Sequence, residues 1–100
     1  MKQVIVHSKA RKELNRAIGY YERQKRGLGL ELLGEVEEAI FRIQEDPRIG
    51  SPYKDTEFCY LLVRRFPYVI YYTDFPEGLW IVAIAHGRRR PGYWRRRKFE

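Results

Sequence analysis

An α+β fold is predicted: an N-terminal strand and an antiparallel αα-hairpin packed on one face of a curved antiparallel β-sheet, in the order β-α-α-β-β-β, followed by a basic C-terminal tail. Two observations predict it. Apolar residues recur at helical spacing through the first half of the chain, and aromatic and β-branched residues crowd into short runs through the second half. The change of pattern falls in the turn-rich stretch "DPRIGSPYKD". One hundred residues that are 44% hydrophobic and 15% aromatic can bury one core but not two, so residues 1–100 are expected to form a single domain.

"QVIV" is a β-branched run that stops before Ser8, a good N-cap residue, so a strand is expected to lead into a helix. Ala10, Leu14, Ala17, Ile18 and Tyr21 then lie on one stripe of a helix from about residue 9 to 25. "RGLG" breaks it. A second helix carries Leu32, Leu33, Val36, Ala39, Ile40 and Ile43 on one broad face and Glu31, Glu35, Glu37 and Glu38 mostly on the other, ending at Pro47. Two amphipathic helices joined by a short glycine turn make an αα-hairpin.

"FCYLLVRRF", "YVIYYTDF" and "LWIVAIAH" read as strands, and "PEG" closes the turn between the last two. Short connections favour an antiparallel meander. The helices need an apolar sheet face and the sheet needs a cover, which leaves the other sheet face free to carry function.

Charge is unevenly placed. Of the net +7, residues 1–86 contribute +1, whereas residues 87–100 carry seven Lys/Arg against one Asp/Glu and contribute +6. Such a concentrated field suits phosphates or an acidic protein partner. The lone Cys59 in an apolar run forms no internal disulfide, which fits a reducing compartment. With no apolar stretch near the roughly 20 residues of a membrane span and no signal-peptide core at the start, the chain is expected to be cytoplasmic, with no membrane partner. The histidines, His7 and His86, are far apart and no Cys-x-x-Cys occurs, so no metal site is expected. "GLGLELLG" lacks the Lys-Ser/Thr ending of a phosphate loop, and no cofactor is expected.

The remaining chemistry is cationic and aromatic. Arg64 and Arg65 end the first meander strand, His86 ends the last and is expected near that first strand if the two pair, and Arg88, Arg89, Arg90 and Tyr93 follow. Cleavage of RNA by its 2′-hydroxyl needs a proton acceptor, cations aimed at the phosphorus charge and a proton donor for the leaving oxygen. Arg65, His86, Arg89 and Tyr93 have the chemistry for those roles. The same residues admit structural readings. His86 can be a satisfied strand-end histidine, Arg64 and Arg65 can blunt an edge or pair with Glu37 or Glu38, and Trp94 can pin the tail to the domain.

The order of these motifs, with "DPRIGSP", "RRFPYVIYY" and "IVAIAHGRRRPGYWRRR" in succession, resembles the RelE/ParE superfamily of type II toxin–antitoxin toxins along nearly the whole chain. "RFPYVIYY" is similar to that family's middle strand, and H-x-R-R-x-P-x-Y-W, here from His86 to Trp94, to the ending of many ParE-like members. The resemblance implies a small cytoplasmic growth inhibitor that a cognate acidic antitoxin neutralises. It also implies that operator DNA is met only through that antitoxin.

Two targets follow from the resemblance. ParE-like members act on DNA gyrase. RelE-like members are metal-independent endoribonucleases that cut messenger RNA on the ribosome, and for that branch Arg65, Arg89 and Tyr93 match in order while Lys54 alone stands for the preceding basic residues. "RRFPY" and the Pro-Tyr-Trp ending lie nearer the ParE-like side. A third reading is a non-enzymatic or degenerate module that binds nucleic acid or a partner through Lys54, Arg64, Arg88, Arg90, Trp94, Arg95, Arg96 and Arg97.

Overall fold

A computed structural model of the chain describes residues 2–99. Strand β1 (Val4–Val6) leads into helices α1 (Ser8–Gln24) and α2 (Leu28–Glu45), and a 3₁₀ turn (Pro47–Ile49) precedes strands β2 (Ser51–Pro52), β3 (Cys59–Leu62), β4 (Tyr68–Phe75) and β5 (Gly78–His86). The five strands form one sheet in the order β1-β5-β4-β3-β2. Strands β2 to β5 pair antiparallel as the meander requires, while β1 joins β5 in parallel, so the sheet is mixed. The crossover from β1 to β5 contains the whole helical hairpin, which lies across one face.

The hairpin is held at both ends by side chains acting on backbone. His7, not Ser8, caps α1: its Nδ1 accepts from the Lys9 amide at 3.0 Å, and Ser8 is the first helical residue. Gly27 turns the chain at φ 90° and has no side chain with which to cap α2. Glu22 does so from α1, accepting from the amides of Gly27 at 2.8 Å and Gly29 at 3.0 Å and placing negative charge at the positive end of α2. Gly29 also sits at a close approach of the two helices, since a Cβ there would stand 2.5 Å from the Ile18 carbonyl oxygen.

The main core lies between the helices and the sheet. Ala10, Leu14 and Ala17 of α1 and Leu32, Val36, Ala39 and Ile43 of α2 meet Ile70, Tyr72, Leu79, Ile81 and Ile84. Tyr72 also fixes the entry to β2, donating to the Pro47 carbonyl at 2.7 Å and accepting from the Gly50 amide at 3.0 Å. Burial, only partly offset by the Gly50 amide, pushes its hydroxyl up to about 12.

Three expectations are corrected. Strand β3 ends at Leu62 rather than reaching Arg65, because Val63 donates to Tyr68 and the turn between them places Arg65 at φ 70°. The first and last meander strands are not neighbours: β4 lies between them, and His86 faces Tyr68 instead. The second sheet face is not free. A smaller apolar cluster of Tyr53, Val82, Ala83 and Trp94 covers it, with Phe58, Tyr60, Tyr71, Tyr93 and Phe99 packed around.

Candidate functional site

The segment after β5 is a strap folded onto that second face. Gly87 donates to the Pro67 carbonyl at 2.7 Å, which starts the strap, and Gly92 at φ 77° allows the turns that carry residues 91–96 back across the sheet. Trp94 has no exposed surface, its ring standing 4.6 Å from Tyr71, 4.9 Å from Phe58 and 5.1 Å from Tyr53. Further on, Phe99 rests on Trp80 at 4.3 Å. The His7 Nδ1 is occupied as an acceptor, so Nε2 carries the proton and donates to the Lys98 carbonyl at 2.8 Å.

One largely buried ion pair joins α1, β5 and the strap. Strand β1 ends with Val6 opposite Ile81, so the outer edge of β5 beyond that point has no strand beside it, and a bulge between β4 and β5 falls there. Glu13 and Arg97 take the strand's place. The Glu13 Oε1 accepts from the Ile84 amide at 3.1 Å, and Arg97 donates to the Val82 carbonyl at 2.9 Å. Between themselves they make a two-pronged contact of 3.0 and 2.9 Å, and the Tyr93 hydroxyl donates to the same carboxylate.

The titrations follow from that geometry. Burial alone would raise the Glu13 carboxyl, but hydrogen bonds from Arg97, Tyr93 and the Ile84 amide, with the Arg97 charge, hold it below its ordinary value. Tyr93 is driven far up by burial and by the bond to Glu13.

The predicted site residues divide into three places. His86, Arg89 and Tyr93 come together at a cleft of about 240 Å³ between α1 and the end of β5, which Glu13, Arg16, Tyr20 and Tyr68 also line. Arg89 lies over the Tyr93 ring at 3.9 Å, and the His86 Nδ1 accepts from the Arg88 amide at 3.1 Å. Arg65 turns to α2, pairing with Glu31 at 2.6 Å and Glu35 at 3.4 Å rather than with Glu37 or Glu38. Lys54 sits in an exposed turn over Tyr53, and Arg64 is exposed beside Arg65.

The third place is the strap itself. Arg88, Arg90, Arg95 and Arg96 are exposed along it, so they form a fixed cationic ridge. Trp94 and Arg97 belong beneath that ridge, the one in the second core and the other in the ion pair with Glu13. Among the described residues, no cluster of His, Cys, Asp or Glu is placed to hold a metal ion.

Sequence reasoning did not single out Glu13, Arg16 or Tyr20. A signal for Glu13 exists, since it is the one carboxylate among Lys9, Arg11, Lys12 and Arg16 in the first half of α1 and lies three residues from Ala10 and four from Ala17, on the buried face. Its arginine partner, 84 residues away, leaves no local trace.

The ParE toxin of the type II toxin–antitoxin system, parDE, has a family model that matches residues 4–91. A solved structure described as "Chromosomal ParDE TA system from P. aeruginosa" superposes with a TM-score of 0.77 at 17% identity, over 86% of this chain and 96% of that one. At that identity the likeness concerns the fold. A search of curated proteins finds no match. The family match runs from β1 through the start of the strap, and on that ground the chain belongs to the ParE toxin family of type II toxin–antitoxin systems.

Proposed function

We propose that this chain arrests growth when free by acting on DNA gyrase, and that a cognate acidic antitoxin silences it. The observation that carries this reading is the ParE family match over residues 4–91. Two of the four residues suited to message cleavage are engaged within the fold, the Tyr93 hydroxyl by Glu13 and Arg65 by two carboxylates of α2, which weighs against that reaction.

The antitoxin part draws on charge. A fixed ridge of exposed arginines attracts an acidic chain, raises its association rate and loses that advantage as salt rises. Expression in bacteria with and without a candidate acidic antitoxin tests the proposal. The chain alone is expected to stop growth, the pair to restore it, and primer extension on cellular messages to show no new ribosome-dependent ends. Discrete cuts that disappear in Arg65→Ala or Tyr93→Ala would instead establish the ribonuclease.

A further inference from the structure

The cleft between α1 and the end of β5 has a charge imbalance. Glu13, its only carboxylate, is saturated: one oxygen accepts from the Ile84 amide and Arg97, the other from Tyr93 and Arg97. Its charge is offset within the fold by Arg97. Arg16 and Arg89 line the same cleft, and no carboxylate among the described residues is paired with either.

The other polar groups of the cleft add donors. With the His86 Nδ1 accepting from the Arg88 amide, a neutral ring carries its proton on Nε2. The hydroxyls of Tyr20 and Tyr68 can donate too, and Tyr20 is half exposed at the mouth. Ala17, Ile84 and Ala85 line the same cleft with buried apolar side chains. A group that fits is anionic at one end and apolar behind it.

We infer that this cleft is a receptor for one carboxylate on an aliphatic stem, such as a glutamate side chain of an acidic protein partner. A phosphodiester of nucleic acid is the less suited oxyanion, because the sugars on both of its ester oxygens flank the charge and leave no single apolar stem to meet Ala17, Ile84 and Ala85. The inference rests on the reading of an acidic antitoxin given above and adds the point at which one of its side chains is gripped. Arg16 and Arg89 supply the charge it meets, and the rings of Tyr20 and Tyr68 with the apolar side chains offer the surface for its stem.

Small probes test it on the isolated chain. Butyrate, inorganic phosphate and butylamine are titrated at constant pH and ionic strength while NMR follows the His86 ring and the methyl groups of Ala17 and Ile84. Butyrate is expected to shift all three saturably, phosphate to bind more weakly and butylamine not at all. The double variant Arg16→Gln/Arg89→Gln is expected to weaken butyrate about tenfold or more. Equal shifts from butyrate and butylamine, tighter binding of phosphate, or no saturable shift with butyrate would overturn the inference, and none of these comparisons requires the variant to fold. Because neither antitoxin nor gyrase is present, a failure here is separate from a failure to arrest growth or to be neutralised.

Discussion

Glu13 ties the strap to α1 and β5. Its carboxylate meets Arg97, Tyr93 and the Ile84 amide with only 9% of the side chain exposed. Removing one partner of a buried, hydrogen-bonded pair leaves the other charge uncompensated, so Glu13→Ala is expected to cost about 3–5 kcal/mol, read as a lower midpoint in urea unfolding. A surface pair such as Arg65 with Glu31 predicts little by comparison, because solvent screens both partners. The same carboxylate gives the fold a pH dependence. Its folded value lies below the ordinary 4.5, so its contribution is fully present above that value and is lost as pH falls through the folded value. Acid titration followed by tryptophan emission is expected to show the strap loosening below about pH 4.5, and Glu13→Gln to remove that step. An unchanged acid transition in the variant would assign it to other carboxylates.

Individual elements differ in how far they could be read beforehand. The helical hairpin was legible because its information is local: apolar residues at intervals of three and four show the buried faces, and Gly27 with Gly29 marks the turn. At Gly29 a methyl group would press on the backbone of Ile18; Gly29→Ala is expected to separate the helices and cost roughly 1–3 kcal/mol by thermal unfolding. The strands were legible as strands, but their neighbours were not. Alternation says that β3, β4 and β5 exist, and says nothing of β1 entering parallel beside β5 or of β3 stopping at Leu62. The strap was the least legible element. Trp94 stands among arginines with no period to mark it as core, and only the folded sheet supplies the Tyr53, Phe58 and Tyr71 rings that enclose it. Truncating it should therefore behave as a core deletion: Trp94→Ala is expected to lose roughly 3–5 kcal/mol, whereas Arg95→Ala or Arg96→Ala should leave stability within about 0.5 kcal/mol.

The whole molecule concentrates its excess positive charge in the C-terminal strap, whose outer surface carries Arg88, Arg90, Arg95 and Arg96. An αα-hairpin and a mixed sheet supply the frame, a second small core fastens the strap, and the arginines left outside are held in position instead of trailing as a flexible arm. Six of the seven net positive charges lie in residues 87–100, so association with an acidic partner is expected to slow markedly as salt is raised from low to physiological levels, in stopped-flow measurements. A partner held mainly by apolar contacts would show no such slowing. Membership of the ParE family and the commitment of Tyr93 and Arg65 to internal partners both bear on the target. The direct measurement is DNA supercoiling by purified gyrase with the purified chain added, alone and premixed with its antitoxin. Dose-dependent loss of supercoiling by the free chain, relieved by the antitoxin, is the predicted result; undiminished supercoiling at concentrations of the folded chain well above those of gyrase would contradict it.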